Sequence, residues 1–281
     1  MENKLTGHGP SKARLVSRGN TTYVVKDFPI TEKDRVIKEV AKMAHLHKLA
    51  KNIDLFRVPE VLEVNEFSYT MEYIQECREL NDVYPIMRTD DVCNKLIDIS
   101  TIVSNEICPI SKISVYEAFL NKFKAVKTQD IEYTTVIQNL PKNVNIPAGS
   151  CHGDLTFDNI LVDKNFMWYL IDPVWSEAES PLWDIGKIFQ STFANWANIK
   201  SQGVLVQRSD KLNEINNQLL DRFSEKYTGE AILLATACQL SRVARWCFAD
   251  TLLPIATKLL TVYNNGDASH DRCISALRGA I

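Results

Sequence analysis

The character of the chain changes near residue 77, and this change limits the folds that are open to it. The first third has short β-branched runs around one amphipathic helix, in the order β-β-α-β-β. After Arg78-Glu79-Leu80, most of the sequence has the spacing of helices. A small sheet with one helix, followed by a larger helical part, belongs to the α+β class. We therefore predict two domains, residues 1–76 and residues 77–281.

The first third contains a predicted hairpin and a predicted helix. Residues 12–26 carry two β-branched runs around Arg18-Gly19-Asn20, and glycine and asparagine are typical of tight turns. From Thr31 onward, apolar residues recur along one helical face, and Thr31 is the expected N-cap. Two extended runs, RVPEVLEV and FSYTMEYI, follow as predicted strands.

One hairpin interrupts the predicted helices of the remaining chain. Within residues 151–173, the runs ILV and WYLI are predicted strands, joined by a turn at Asp163-Lys164-Asn165. The helices are expected near residues 90–107, 113–127, 182–199, 210–227, 230–248 and 250–263.

Charge and cysteine usage exclude several classes of protein. A formal net charge of −3 and a pI near 6.0 give no electrostatic footprint for nucleic acid or an anionic membrane surface. Seven cysteines without a CxxC pair suit reduced thiols better than a disulfide framework or a zinc site. The N-terminus lacks the apolar core of a signal peptide, and no apolar run approaches the roughly 18 residues of a membrane span. We expect a cytoplasmic protein with no nucleic-acid or membrane partner.

Three polar residues flank the predicted hairpin at 151–173. A strand, a turn and a returning strand separate Asn159 from Asp172, so both side chains are expected at the mouth of the hairpin. Their oxygens are hard ligands that suit Mg²⁺, which takes its other ligands from water and substrate phosphates. Asp154, on the loop just before, is free to accept a proton from a hydroxyl nucleophile. The order Asp, Asn, Asp is the one used for phosphoryl transfer in kinases.

The segment HGDLTFDN resembles the HGDxxxxN loop of the aminoglycoside phosphotransferase and choline kinase group. Gly153 stands where protein kinases usually carry Arg, and the IDP of residues 171–173 stands where many relatives have Asp-Phe-Gly. The resemblance implies a two-lobed protein kinase-like fold, with a small antiparallel N-lobe sheet, one N-lobe helix and a mainly helical C-lobe. It also implies Asp154 as the catalytic base and Asn159 and Asp172 as metal ligands.

The resemblance further implies a set of nucleotide-binding residues. Lys26, at the end of a predicted strand, would contact the α- and β-phosphates. Glu39 on the next helix would pair with Lys26, and Glu32 is the alternative. The base would meet a hinge in TMEYIQ, and a loop in TGHGPSK would cover the phosphates. The hinge residues are Met71, Glu72 and Ile74, and the phosphate-loop residues are Gly7, Gly9, Ser11 and Lys12.

Two further residues of the resemblance are assigned structural roles. His152 would bond to backbone near Asp172, because the family uses Asp rather than His as its base. Asp184 in WDIGKIF corresponds to a family aspartate that holds the catalytic loop. Asp158 is expected to be a solvated or capping residue.

The acceptor pocket is not fixed by any spacing. Trp175, Glu177, Glu179 and Trp183 follow the metal-binding Asp and could line it, or could equally serve loop and core packing. The acidic segment 177–179 favours a cationic acceptor slightly. The helical C-terminal block offers further candidates without a way to choose between them: Trp196, Arg242, Arg245 and Trp246.

The expected function is an ATP- or GTP-dependent phosphotransferase that uses Mg²⁺ and a small-molecule hydroxyl acceptor, such as an aminoglycoside, amino alcohol, sugar or nucleoside-like compound. A protein kinase is one alternative. Gly153, Pro173 and the eleven residues between Asp172 and Asp184 argue against it, because a peptide-docking activation segment needs more chain. A catalytically silent nucleotide-binding protein is the other alternative.

Overall fold

A computed structural model describes residues 3–5, 11–106, 113–141, 144, 146–264 and 269–279. Within these ranges, no helix is both long and apolar enough to cross a membrane. The chain forms two compact units, Met1–Val83 with Asp158–Trp175 and Tyr84–Phe157 with Ser176–Ile281. The division differs from the predicted boundary after residue 76, because the hairpin near residue 165 pairs with strands of the first unit.

The first unit contains a five-stranded antiparallel sheet in the order β1-β2-β3-β6-β5. The predicted hairpin is confirmed: β2 and β3 pair from Lys12↔Asp27 to Arg18↔Thr21, and Gly19 in the connecting turn has a φ of +63°. Such a φ favours glycine. The strands are β1 Asn3–Leu5, β2 Lys12–Arg18, β3 Thr21–Asp27, β5 Val61–Val64 and β6 Ser68–Glu72.

One long helix, α1 Lys33–Ala50, packs against β5 and β6. Its buried face holds Val36, Met43 and Leu46, together with the carboxylate of Glu39. The expected N-cap at Thr31 is wrong. A 3-10 turn, Ile30–Glu32, precedes the helix, and Glu32 occupies the cap position without a side-chain hydrogen bond.

A second, four-stranded sheet lies in the first unit, in the order β4-β9-β8-β7. The predicted hairpin of ILV and WYLI forms its centre, as β8 Ile160–Val162 and β9 Trp168–Leu170. The outer strands are β4 Phe56–Arg57, parallel to β9, and β7 Arg78–Glu79, antiparallel to β8. The short helix α2 Leu80–Val83 follows β7.

The second unit is mainly helical. Helix α9 is buried along most of its length and packs against α4, α6, α10 and α11. A Cβ at Gly186 of α6 would lie 2.6 Å from the carbonyl oxygen of Ala235 of α9, so glycine permits the close approach of these two helices. The helices are α3 Thr89–Ser104, α4 Val115–Lys124, α5 Ile131–Gln138, α6 Pro181–Thr192, α7 Trp196–Gln202, α8 Asp210–Ser224, α9 Gly229–Ala244, α10 Ala249–Asn264 and α11 His270–Arg278.

The predicted helices are found, with one of them divided. The stretch 182–199 is split into α6 and α7, because Asn195 adopts a left-handed φ of +53°. Helices α2, α5 and α11 were not predicted. The small antiparallel sheet with one long helix and the larger helical part confirm the predicted α+β class.

Candidate active site

A buried lysine shared by two carboxylates marks the first unit. Lys26 on β3 has a side chain 6% exposed, and its Nζ pairs with Glu39 of α1 and, at 3.2 Å, with Oδ1 of Asp172. The hydroxyl of Tyr69 on β6 donates a hydrogen bond of 2.8 Å to Glu39. An interior carboxylate is stable only when it is paired and hydrogen-bonded, and Glu39 has both kinds of partner.

The charges of this cluster fix the protonation of its members. Burial disfavours the charged form of Lys26, but Asp172 and then Glu39 outweigh burial, so the pKa of Lys26 lies above its usual value. Burial, and then the charge of Glu39, raises the pKa of Tyr69 well above its usual value. At neutral pH, Lys26 is therefore an ammonium and Tyr69 a neutral donor.

The structure shows which of the two candidate glutamates, Glu39 or Glu32, pairs with Lys26. Glu39 faces inward from α1, whereas Glu32 lies before the helix and accepts a hydrogen bond of 2.8 Å from Arg35 Nη1. Arg35 also approaches Glu39, with Nε 3.7 Å from Oε2. Glu39 is thus the partner of Lys26.

Asp172 and Asn159 lie at one end of the β8–β9 hairpin. The amide of Ile171 donates to the carbonyl oxygen of Asn159 at 3.0 Å, and Asp172 is the next residue, with a left-handed φ of +57°. The Asp172 side chain is 39% exposed. Among the described residues, no group of three or more His, Cys, Asp or Glu side chains could hold a metal. One carboxylate and one amide oxygen nevertheless fit a Mg²⁺ that draws its other ligands from phosphates and water.

The predicted nucleotide-contacting residues of the first unit lie on or beside its sheet. Met71 is buried near the end of β6, Glu72 is exposed, and Ile74 follows the strand. Within the described ranges, the backbone N–H of Ile74 has no acceptor. In the predicted phosphate loop, Gly7 and Gly9 lie outside the described residues. Ser11 directly precedes β2, and Lys12 begins that strand.

A second cluster, in the second unit, begins with Asp184. This residue lies in the first turn of α6, where Ser180 caps the helix. Its two carboxylate oxygens accept hydrogen bonds from the amides of His152 and Gly153, at 2.7 and 2.6 Å. Gly153 has a φ of +86°, a conformation that favours glycine over the arginine of protein kinases. Asp184 thereby ties the HGD segment to α6.

His152 is fully buried within the second unit. Its Nδ1 accepts a hydrogen bond of 3.3 Å from the amide of Asp154. This hydrogen bond joins the His152 ring to the backbone of the loop that carries Asp154. The contact suits the structural role that was predicted for His152.

Asp154 itself is bound by cations. Lys187 Nζ of α6 lies 2.9 Å from Oδ1, and Arg242 Nη2 of α9 lies 3.8 Å from the same oxygen. Burial would raise the pKa of Asp154, but Lys187 and Arg242 outweigh burial and hold this pKa well below its usual range. The Asp154 side chain remains 22% exposed, so a charged carboxylate reaches solvent.

Lys187 was not predicted from the sequence, although its spacing from Asp184 could have indicated it. Residues three apart on a helix share a face, so a helix that points Asp184 at the catalytic loop also points Lys187 there. Gln190, a further three residues along, accepts a hydrogen bond of 2.9 Å from Lys187. Arg242 was one of four unranked candidates, and the structure brings it alone of those four to Asp154.

Two of the proposed acceptor-lining residues are packed into the loop before α6. Trp183 is 1% exposed, stacks on Phe119 at a centroid distance of 4.1 Å and donates its indole N–H to the carbonyl oxygen of Ala178. Glu179 is buried and accepts a hydrogen bond from the Ser176 amide, whereas Glu177 is exposed. Trp175 is 41% exposed, Trp196 is buried, and Trp246 is 61% exposed with Arg245 over its ring.

Comparison by sequence gives no relative for this chain. No family model matches it, and no curated protein matches it.

Comparison with solved structures gives many matches at low identity. LicA in complex with AMP is 17% identical, with a TM-score of 0.63 over 93% of this chain and 91% of that one. The choline kinase LicA from Streptococcus pneumoniae is 17% identical, with a TM-score of 0.59 over 99% of this chain and 93% of that one. An ethanolamine kinase from Plasmodium vivax is 10% identical, with a TM-score of 0.57 over 97% of this chain and 84% of that one.

A thermostable mutant of the aminoglycoside phosphotransferase APH(4)-Ia, in a ternary complex with ADP and hygromycin B, is also similar. It is 15% identical, with a TM-score of 0.55 over 100% of this chain and 95% of that one. At such identities the likeness concerns the fold alone. The chain has the protein kinase-like fold of these small-molecule kinases.

Proposed function

We propose that the protein is a small-molecule kinase, which transfers the γ-phosphoryl group of ATP or GTP to a hydroxyl of its acceptor with the help of Mg²⁺. The observation that carries the proposal is the buried Lys26 shared by Glu39 and Asp172. Burying charged groups costs unfolding free energy unless they are well paired, and apolar residues of similar volume would fill the same space without this cost. The presence of the charges therefore suggests a function beyond stability. Lys26 would hold the nucleotide phosphates, and Glu39 would hold Lys26.

Asn159 and Asp172 would bind the metal ion, which neutralises phosphate charge when it is bound. The partial exposure of Asp172 keeps its carboxylate accessible, and the hairpin fixes both residues at one end. The pair of hard oxygen donors supports Mg²⁺ over a softer metal. Met71, Glu72 and Ile74 would receive the base, with the Ile74 amide as a donor.

Asp154 would receive the acceptor hydroxyl. In the transfer, the hydroxyl oxygen forms a bond to the γ-phosphorus, the bond from that phosphorus to the β,γ-bridging oxygen breaks, and the nucleoside diphosphate leaves. The hydroxyl proton passes to Asp154. Because the pKa of Asp154 is low, this residue is a weak base, so it orients the hydroxyl first and takes the proton late in a loose transition state.

The structural neighbours support a small acceptor and an adenine nucleotide. Their names describe kinases of choline and ethanolamine and an aminoglycoside phosphotransferase, and two of their complexes contain AMP or ADP. The polar residues of the HGD segment and the hairpin are all present, which argues against a catalytically silent protein. The short segment from Pro173 to Trp183 argues against a protein kinase.

The proposal is tested by nucleotide binding and turnover in one set of variants. MgATP should raise the melting temperature of the wild type and of Asp154→Asn to the same extent. With an accepted alcohol, ADP release by Asp154→Asn should fall about 10²- to 10⁴-fold. Asp158→Asn is the matched control in the same loop and should retain turnover. Absence of any MgATP effect on melting, or full turnover by Asp154→Asn, would refute the proposal.

A further inference from the structure

Two basic side chains contact the Asp154 carboxylate within the second unit, and a third lies on a neighbouring helix. Lys187 of α6 and Arg242 of α9 lie 2.9 and 3.8 Å from Oδ1 of Asp154. Lys122 lies on α4, and α4 and α6 both pack against α9. We call Lys122, Lys187 and Arg242 the basic cluster. Two cations against one carboxylate give more positive than negative charge beside the proposed base.

Among the described residues, neither Asp184 nor Glu179 forms an ion pair with Lys122 or Arg242. The oxygens of Asp184 accept hydrogen bonds from the amides of His152 and Gly153. Glu179 accepts from the Ser176 amide and from the Cys151 thiol, at 3.2 and 3.5 Å. Within the acidic segment 177–179, Glu179 therefore bonds to its own loop, whereas Glu177 is exposed.

Lys122 is the clearest sign of a missing anion. Among the described residues, its ammonium has no carboxylate partner, and it lies 4.8 Å from the centroid of the Trp183 ring. Burial, and then repulsion from Arg242 and Lys187, lowers the pKa of Lys122 to about 8. The thiols of Cys238 and Cys151 act in the opposite direction, and the effect of Cys238 on this pKa exceeds that of Lys187. A folded chain places cations against one another at a cost in stability, and a bound anion removes that cost.

Arg242 has the geometry to receive such an anion. Its Nη1 donates to Gln239 at 3.3 Å, its Nη2 makes only a long contact with Asp154, and its side chain is 25% exposed. A guanidinium binds carboxylate and phosphate through two parallel N–H donors. The accessible side of Arg242 thus adjoins the carboxylate that would meet the acceptor hydroxyl.

We propose, resting on the phosphotransferase function above, that the acceptor is an anionic alcohol whose carboxylate or phosphate ester is bound by Arg242 and Lys122, while Lys187 positions Asp154. The acceptor then satisfies both parts of the cluster. Its anionic group meets Lys122 and the accessible side of Arg242, and its hydroxyl meets Asp154. Cationic acceptors such as choline or an aminoglycoside are disfavoured, because they would add charge of the sign already in excess.

The first experiment compares matched alcohols that differ in charge. Two skeletons are used: glycerate, glycerol 3-phosphate, glycerol and 3-amino-1,2-propanediol for three carbons, and gluconate, glucose 6-phosphate, glucose and glucosamine for six. ADP release with MgATP is measured for each, together with acceptor-induced melting shifts. At least one carboxylate or phosphate compound should react at least tenfold faster than its neutral and cationic partners, and which of the two reacts identifies the anion.

A faster reaction with a neutral or cationic member would overturn the inference, and so would no response to any anionic member. If the wild type still responds to MgATP in the same melting assay, the phosphotransferase proposal survives that failure. If MgATP has no effect either, both proposals fail. The two can therefore be told apart.

The second experiment tests whether Lys122 and Arg242 bind the acceptor. Lys122→Gln and Arg242→Gln should each raise KM for the anionic acceptor at least tenfold and leave KM for MgATP within twofold of the wild type. Lys122→Arg, which keeps the charge, should retain the acceptor KM. Lys124→Gln and Arg245→Gln are matched controls on exposed positions of the same segments. A rise in KM for MgATP instead would mean that the cations serve the nucleotide, and would overturn the inference.

Discussion

The two polar clusters use the same residue types in opposite proportions. In the first unit, one ammonium, Lys26, lies between two carboxylates. In the second unit, one carboxylate, Asp154, lies among the cations of the basic cluster. The first arrangement raises the pKa of its lysine, and the second lowers the pKa of its aspartate. At neutral pH, Lys26 is therefore an ammonium and Asp154 a carboxylate.

The difference in balance indicates different ligands. A lysine flanked by carboxylates leaves room for a further cation at the exposed Asp172, which is the charge of a metal ion. A carboxylate flanked by several cations leaves room for an anion. Charge balance, together with residue type, therefore supports the proposed metal-nucleotide role of the first cluster and the proposed acceptor role of the second.

The largest effect is expected from removing the lysine of the first cluster. Lys26→Met leaves Glu39 and Asp172 without their shared cation, and breaking such a buried pair costs about 3–5 kcal/mol of unfolding free energy. Urea denaturation measures this change. Lys33→Met, which breaks the exposed pair with Glu66, is the control and should leave stability unchanged. Equal stability of Lys26→Met and the wild type would show that the cluster is not held by this charge.

The next effect concerns the positioning of Asp154. Lys187→Gln removes the closest cation, so the pKa of Asp154 should rise and the acidic limb of the kcat/KM profile should move to higher pH. Turnover should fall about 10- to 100-fold, and Lys187→Arg should restore most of it. A variant that lowers turnover without moving the acidic limb would indicate a structural role only.

A smaller effect separates the two glutamates of the first unit. Glu39→Gln loses one charged hydrogen bond to Lys26, so affinity for MgATP should fall about tenfold. Glu32→Gln should have no effect on affinity, because Glu32 pairs with Arg35 near the surface. Isothermal titration calorimetry with both variants tests this. A larger loss of MgATP affinity in Glu32→Gln than in Glu39→Gln would instead identify Glu32 as the functional partner of Lys26.

The smallest effect is a pH dependence of stability from Lys122. Its pKa is about 8 in the folded chain and higher when unfolded, so the unfolded state binds more protons between these values and stability rises with pH there. The facing groups are Arg242, Lys187 and the thiols of Cys238 and Cys151. Comparing urea denaturation at pH 7 and pH 9.5, this gain should be smaller in Lys122→Gln than in Lys124→Gln. Equal gains would contradict the lowered pKa.

Most of the fold could be predicted from patterns of neighbouring residues in the sequence. The turn at Gly19 and the hairpin that returns to Asp172 involve neighbouring residues, so residue type and spacing predict them. Helix α5 was missed because its sequence, IEYTTVIQ, is rich in β-branched residues that lower helix propensity. Tertiary packing stabilises such a helix, and a single sequence does not display that packing.

Residues of the candidate site that belong to a sequence motif were predicted. Residues that reach the site only through the packing of distant segments were missed. Asp154, Asn159 and Asp172 stand at motif positions. Lys187 reaches Asp154 across 33 residues of chain, through the approach of α6 to the HGD segment. The sequence left Trp183 open between ligand contact and packing, because its burial against Phe119 is a property of the helical core that spacing does not reveal.

Calorimetric titration of ATP tests whether the first cluster binds a nucleotide through Mg²⁺. The wild type should bind ATP at least tenfold more tightly with Mg²⁺ than with EDTA. Asp172→Asn should lose this difference and retain the metal-free affinity. Binding by the wild type that does not depend on Mg²⁺, or a full Mg²⁺ effect in Asp172→Asn, would contradict the account.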